Sequence, residues 1–422
     1  MIPGSTNPRY ILFLLIAILA VNQMDRTIIS ILLDDISKEF ALTNTQLGLL
    51  SGGVLIVAYS LFGFPIAKLS ARSSRKNIIG IATAIWSLLT FFVAGAQNFW
   101  QLMLARIGVG IGESGAVVPT HSIISDMFPP ERRTSAMASY VVGANLGVLL
   151  AFLVGGFAGQ LLGWRWAFVI AAVPGLLLAL VFFFTVKEPP RAPNVSDEID
   201  NLFLRTLGVI WQDQGLRHAL VGVSLASILT HAGLAWNATY IIRAHELSLI
   251  QTGIFFALSA GILGSLVTFG SGWLADHFGT SHPRFRLGMV VAAILIGKPF
   301  SAAFAILTPT VPALMCLLVP IGLASVFWGP TFAFLHGRVA PEMRPMATAI
   351  FMFAFSIVGV GIGPTLIGVL SDTIFASEGI KSLGWAIMTV QIIGVWSAYH
   401  YWVAMKTIPD VEMVVRSETK GT

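Results

Sequence analysis

The sequence predicts an all-α membrane protein whose twelve transmembrane helices form two pseudo-symmetric bundles of six. Three observations predict it. The 422 residues are 56% hydrophobic and only 11% charged, against about 25% charged in an ordinary soluble domain. Apolar runs of roughly 20 residues, enough to cross hydrocarbon ~30 Å thick, recur along the whole chain. The second half of the chain repeats motifs of the first.

Taken in order, the apolar runs place spans near 10–33, 47–69, 78–96, 99–124, 136–162 and 165–186. A second set follows near 217–242, 249–275, 285–307, 311–335, 346–371 and 382–405. The start "MIPGSTNPR" leads into a run too long for a signal-peptide core, with no small-residue cleavage site after it, so the first span is expected to be retained. One long polar stretch, 187–216, separates the sets. The expected organisation is a first bundle over 1–186, a connecting loop over 187–216, a second bundle over 217–405 and a tail over 406–422.

Charge sets the expected orientation. With both termini in the cytoplasm, eighteen of the 25 Lys and Arg residues fall on the inner side. Only Lys38, Arg165, Arg243 and Lys381 fall outside, and Arg26, Arg106 and Lys298 lie within spans. The positive-inside rule selects this topology. It also accounts for the net charge of +5 without a nucleic-acid partner. Zinc-ligand spacings and a phosphate-binding loop are absent from the sequence, which argues against a metalloenzyme or an ATP-driven pump. No cofactor is implied.

The halves match in detail. "TNTQLGLLSGG" (43–53) resembles "SLIQTGIFFAL" (248–258), with Gln46 and Gly48 against Gln251 and Gly253, and "PPERRTSAMA" (129–138) resembles "APEMRPMATA" (340–349). Repeated halves in a membrane protein mark a transporter whose site lies between them.

Several motifs resemble the major facilitator superfamily across nearly the whole chain. "GWLADHFG" (272–279) resembles that family's signature loop, with Asp276 in the acidic position. The first-half copy, "GFPIAKLSARSSRK" (63–76), keeps Arg72, Arg75 and Lys76 but carries Ala71 where the acid belongs, so a weakened charge relay is expected there. "ARIGVGIGESGAVVP" (105–119) resembles the family's arginine and spaced-glycine motif. Within the superfamily, "NQMDRTI" (22–28), "SRK" (74–76) and "RIGVGIGES" (106–114) are most similar to the spinster branch. That resemblance implies export of lysolipid-like or sphingosine-phosphate-like cargo, proton coupling, and a central cavity lined by helices 1, 4, 7 and 10. It also implies a cytoplasmic gate of Arg72, Arg75 and Lys76 in one half and Asp276 with Arg284 or Arg286 in the other.

A charge at the centre of a bilayer costs ~3 kcal/mol or more, so charged residues within spans are functional candidates by default. Asp25 lies ~13 Å below the outer end of span 1 and Arg106 ~10 Å below the outer end of span 4. Their depths agree, so an Asp25–Arg106 pair with Arg26 nearby is expected, against the alternative of a purely structural bridge. Glu113 follows Arg106 by two turns on the same face, near the midplane, with no second cation evident at its depth. It is the candidate for proton exchange. Gly108, Gly110 and Gly112 thin the helix to admit a neighbouring helix or a substrate.

Thr230 and His231 of span 7 align with Asp25 and Arg26, and Trp236, Asn237 and Tyr240 continue that face. They suit a cavity wall for an amphipathic molecule, although Trp236 and Tyr240 fit an interfacial aromatic belt equally well. Asn145 is a further cavity candidate, or a polar helix contact. The expected function is proton-coupled secondary transport of an amphipathic, lipid-like or drug-like molecule by alternating access. A small organic-acid symporter and an uncoupled, scramblase-like lipid conduit are the alternatives. The expected setting is a bacterial inner membrane, with the chain acting as a monomer among membrane lipids.

Overall fold

A computed structural model describes residues 7–189, 199–279 and 281–409. Part of the connecting loop and most of the tail (190–198 and 410–422) lie outside the described residues. Twelve helices among the described residues are long and apolar enough to cross a membrane. Spans 1 to 6 are Pro8–Phe40, Asn44–Gly63, Arg75–Ala94, Phe99–Met127, Glu131–Leu162 and Trp164–Thr185. Spans 7 to 12 are Gln214–His245, Leu249–Gly279, Pro283–Ile306, Thr310–His336, Pro341–Asp372 and Ala376–Lys406. Helices are what lipid permits, since each satisfies its backbone polar groups within itself. Large apolar side chains such as Phe13, Trp100, Leu161 and Phe184 remain exposed, as a lipid solvent allows.

Two features of the sequence repeat acquire physical meaning. Thr43 and Gln46 form a reciprocal capping box at the start of span 2, and Ser248 and Gln251 form the same box at the start of span 8. Each box leads into a π-helical turn, Leu49–Gly53 in span 2 and Ala257–Leu263 in span 8. Span 1 runs on beyond its apolar stretch to Phe40, and Lys38 and Asp34 pair at 2.7 Å on its last turns. It is interrupted at Ile28, which separates helices Pro8–Thr27 and Ile29–Phe40.

The stretch 187–216, expected as a loop, contains a helix, Ile199–Gln212. Its apolar positions recur at helical spacing, and Ile210 is fully buried with Leu202 and Val209 packed beside it. Asp213 then caps span 7 by accepting from the Leu216 amide at 2.8 Å.

The chain resolves into two compact units that interleave along the sequence. The first comprises residues 1–196, 234–262 and 364–376. Its core gathers Ile11, Leu55, Trp86, Val109, Tyr140 and Phe182. The second comprises residues 197–233, 263–363 and 377–422, with Leu216, Val223, Leu287, Phe351 and Tyr401 at its core.

At the start of span 3 acids from elsewhere in the chain stand beside the basic motif. Ala71 supplies no acid, but Asp126 and Glu188 do. Arg75 is fully buried and donates to Glu188 at 3.0 Å, to Ser122 at 2.9 Å, to the Pro189 carbonyl at 3.0 Å and to Asp126. Glu188 also accepts from the Ser74 hydroxyl at 2.7 Å and the Lys76 amide at 2.9 Å, and so caps the helix. Partial burial raises the Glu188 carboxyl, yet Ser74, the Lys76 amide and Arg75 together hold it below its usual range.

A carboxylate held low stabilises the fold above its unfolded value of about 4.3 and loses that contribution as pH falls through its folded value. The unfolding midpoint of the purified protein is therefore expected to drop below about pH 4, and Glu188→Gln to flatten part of that drop. Fluorescence melts across the acid range check this. Packing on span 4 yields a second expectation. A Cβ on Gly110 would lie 2.5 Å from the Leu55 carbonyl oxygen, whereas one on Gly108 meets the end of the Leu89 side chain. Gly110→Ala should cost about 1–3 kcal/mol and Gly108→Ala less. Equal melting midpoints for the two variants would contradict this packing.

Candidate functional site

Spans 1 to 4 converge on a buried charged cluster within the first unit. Asp25 is fully buried, and one of its oxygens accepts from the Thr90 hydroxyl of span 3 at 3.3 Å. Arg106, 1% exposed, donates to the Asp25 main-chain carbonyl at 3.2 Å and to the Leu50 carbonyl at 3.3 Å. Arg26 and Glu113 form an ion pair at 2.5 Å. The Glu113 side chain is wholly buried, while a quarter of the Arg26 side chain remains exposed. The Arg26 guanidinium also lies over the Tyr59 ring, 4.8 Å from its centroid.

The pairing differs from the expected one. Among the described residues, no ion pair joins Asp25 to Arg106. Local backbone geometry accounts for the change. The hydrogen-bond pattern of span 1 is interrupted at Ile28, whose backbone stays right-handed helical, and the Asp25 carbonyl lies in the turn before it, where carbonyls need outside donors. Leu50 lies in the π-helical turn of span 2. Arg106 serves both carbonyls with its donor fork. The cation expected to be missing beside Glu113 is Arg26, whose long side chain offsets the difference in depth. The four formal charges still cancel.

Tyr59 and Thr90 went unforeseen, although a signal for Thr90 was present. Thr83, Ser87 and Thr90 form a polar stripe at helical spacing on span 3, and all three are buried. The glycines of span 4 admit neighbouring helices. Gly110 faces the backbone of span 2 at Leu55, and Gly112 faces that of span 3 at Trp86.

The second-half candidates are dispersed. Thr230 donates to the Ala226 carbonyl at 3.2 Å. His231 bonds the Ser227 carbonyl through Nδ1 at 2.9 Å and meets Phe355 edge-on. Trp236 is fully buried and donates to the Pro364 carbonyl at 2.7 Å. Tyr240, also buried, packs edge-on against His245. Neither aromatic occupies an exposed belt position. Asn145 and Asn237 are half-buried. Of the expected gate residues, Arg72 and Asp276 are exposed. Lys76 lies 5.1 Å from the Phe183 ring centroid, and Arg284 and Arg286 donate to the carbonyls of Ile408 and Ala275.

A second polar constellation in the first unit lies beside the loop between spans 1 and 2. Arg243 of span 7 pairs with Asp34 at 2.6 Å and donates to the Asn44 side chain at 2.8 Å. Asp372 of span 11 accepts from the amides of Asn44 and Thr45 at 3.2 and 2.6 Å, and from the Thr45 hydroxyl at 2.7 Å. Gly48 and Gly253 allow close approach here too. A Cβ on Gly48 would strike the Pro364 carbonyl, and one on Gly253 the Phe152 carbonyl.

Comparison with known proteins agrees with this architecture. The Major Facilitator Superfamily model matches residues 15–364. An MFS-type efflux pump of Mycolicibacterium smegmatis is 28% identical over 394 residues, covering 91% of this chain and 89% of that protein. The mouse sphingosine-1-phosphate transporter SPNS2 is 28% identical over 402 residues, covering 87% of this chain and 72% of the relative. A solved bacterial homologue of the human lysosomal transporter spinster, inward-facing and unoccupied, superposes with a TM-score of 0.85 at 26% identity, covering 96% of this chain and 98% of that one. With twelve spans, repeated halves and a family match over most of its length, the chain belongs to the major facilitator superfamily and is an integral membrane transporter.

Proposed function

We propose that the chain couples proton movement to the passage of an amphipathic, lipid-like or drug-like molecule by alternating access, in a bacterial plasma membrane with both termini cytoplasmic. The observation that carries this proposal is the Arg26–Glu113 pair. Glu113 is wholly buried, bonded to Arg26 through one oxygen, and its other oxygen has no protein partner among the described residues. Removing one partner of a buried ion pair leaves an uncompensated charge. A proton on Glu113 cancels its charge and releases the Arg26 guanidinium, which then meets a phosphate or carboxylate headgroup. An anionic cargo that takes Arg26 likewise favours proton uptake by Glu113. Proton, salt bridge and cargo thus compete for one cation. The likeness to a sphingosine-1-phosphate transporter and an efflux pump supports an amphipathic cargo carrying a charged group.

The seal built by Asp34, Arg243, Asn44 and Asp372 serves in this proposal as the outer gate. Its closure agrees with the inward-facing state of the spinster homologue to which the chain is similar. The cytoplasmic gate is assigned to Arg72, Arg75 and Lys76 with Asp276 and Arg284, and the second cavity wall to Thr230, His231, Trp236, Asn237, Tyr240 and Asn145.

Two expectations follow from these roles. In proteoliposomes enclosing a pH-sensitive dye, sphingosine-1-phosphate, a lysolipid or ethidium is expected to drive proton movement, and gluconate is not. Glu113→Gln should lower that movement by about tenfold or more. Full proton movement in the variant would remove Glu113 from coupling, and a response to gluconate alone would indicate an organic-acid carrier. For the gate, Thr239→Cys in a Cys316→Ser background places a thiol at a fully buried position beneath the seal. Asp372→Asn or Arg243→Ala should speed its maleimide labelling by about fivefold or more. Unchanged labelling would deny the cluster a gating role.

A further inference from the structure

Around Asp25 and Glu113 several buried polar atoms have no protein partner among the described residues. They are Asn22 Nδ2, Asp25 Oδ1, Trp86 Nε1, Ser87 Oγ, Arg106 Nη2 and Glu113 Oε1. Every one of these residues is 5% exposed or less. An unpaired buried polar group costs about 1–3 kcal/mol, so six in one unit call for a common cause.

Topology brings them together. Spans 1 and 3 run in the same direction, and the Thr90 hydroxyl bonds Asp25. Asn22 lies one turn before Asp25 on its helix, and Ser87 one turn before Thr90, so Asn22 and Ser87 stand at one level. Trp86 precedes Thr90 by four residues on span 3. On span 4, which runs the opposite way, Arg106 bonds the Asp25 carbonyl, while Gly112, next to Glu113, abuts Trp86. Two layers result, with Asp25, Thr90 and Arg106 in one and Asn22, Trp86, Ser87 and Glu113 in the other. Span 6 packs closely against spans 1 and 3 beside Ser87. A Cβ on Gly175 would collide with the Ser87 hydroxyl and lie 3.2 Å from Val21.

The chemistry of the orphans selects the occupant. Asn22, Trp86 and Arg106 offer only donors at these atoms, Asp25 and Glu113 offer acceptors, and Ser87 offers either. A metal cation would face three donors, and an anion would face two carboxylates. Water satisfies both kinds of group, typically making about three bonds when buried. We infer that spans 1, 3, 4 and 6 enclose bound water bridging Asp25 to Glu113, with Asn22, Trp86, Ser87 and Arg106 as its ligands. The bridge relays protons without net transfer to solvent. The water next to Asp25 accepts the proton leaving Oδ1 and passes one of its own along the bridge, and the water next to Glu113 gives one to Oε1, so that each water ends neutral. The inference rests on the proposed proton coupling only for its use; the water site stands on the unpaired atoms.

The test needs no cargo. Purified protein in ¹⁸O-labelled water is exposed to a brief X-ray pulse, and oxidation of Trp86 is read by mass spectrometry. Exposed Trp100 is the bulk-solvent control. Oxidation of Trp86 with an ¹⁸O exchange far slower than that of Trp100 is expected. Its oxidation should fall about threefold or more in Asn22→Leu or Ser87→Ala, two variants that each remove a ligand. An unoxidised Trp86 in the wild type, or exchange as fast as at Trp100, would overturn the inference, as would unchanged oxidation in both variants. A water site found in a protein lacking cargo-driven proton movement would leave this inference standing and the coupling proposal refuted.

Discussion

In a hydrocarbon solvent a charge must find its counter-charge within the protein, and that constraint organises the first unit. Arg26 and Glu113 hold each other, and Arg106 turns to two carbonyls that the helices cannot satisfy alone. Asp25 takes a hydroxyl from span 3. None of these contacts is local in sequence, so the cluster ties four helices together. Replacing a buried pair by apolar residues is often neutral for stability. Four buried charges therefore call for a reason other than strength of folding.

Close backbone approach is the second organising feature. Gly110 and Gly112 let spans 2 and 3 reach the backbone of span 4, and so bring the ligands of the cluster within range. At the second polar constellation, Gly48 and Gly253 do the same for spans that charge counting places on the outer side. Such contacts form or break as units, because interdigitated backbones cannot slide by fractions of a turn. The cluster there adds polar bonds, with Asn44 and Asp372 at helix ends and Asp34 buried within span 1.

Most of the fold was legible because its signals are periodic and long. Twelve apolar runs, one polar interruption and the matched motifs near Gln46 and Gln251 are visible without coordinates. The helix within 187–216 was hidden because its short amphipathic pattern lies among polar residues. At the site, the four charged residues were legible as anomalies in oil, but their pairing was not. Depth along a helix locates a Cα, whereas an arginine side chain reaches across a full turn or more. The interruption at Ile28 and the π-helical turn at Leu49–Gly53 also left no mark that residue types alone reveal, and both decide where Arg106 bonds. Thr90 was recoverable from its polar stripe, and Tyr59 was not, since one tyrosine in an apolar span carries no periodic signal.

The π-helical turn near the start of span 2 has a consequence of phase. Such a turn amounts to one residue inserted into an α-helix. Every residue on one side of it is rotated by about 100° relative to regular winding. Tyr59, which meets Arg26, and Leu55, which meets Gly110, both lie downstream of that rotation. Span 8 also carries a π-helical turn, longer and further beyond its capping box. Both halves of the chain thus spend a residue of length to gain an angular offset, and the faces that matter are set by counting residues rather than by their identity.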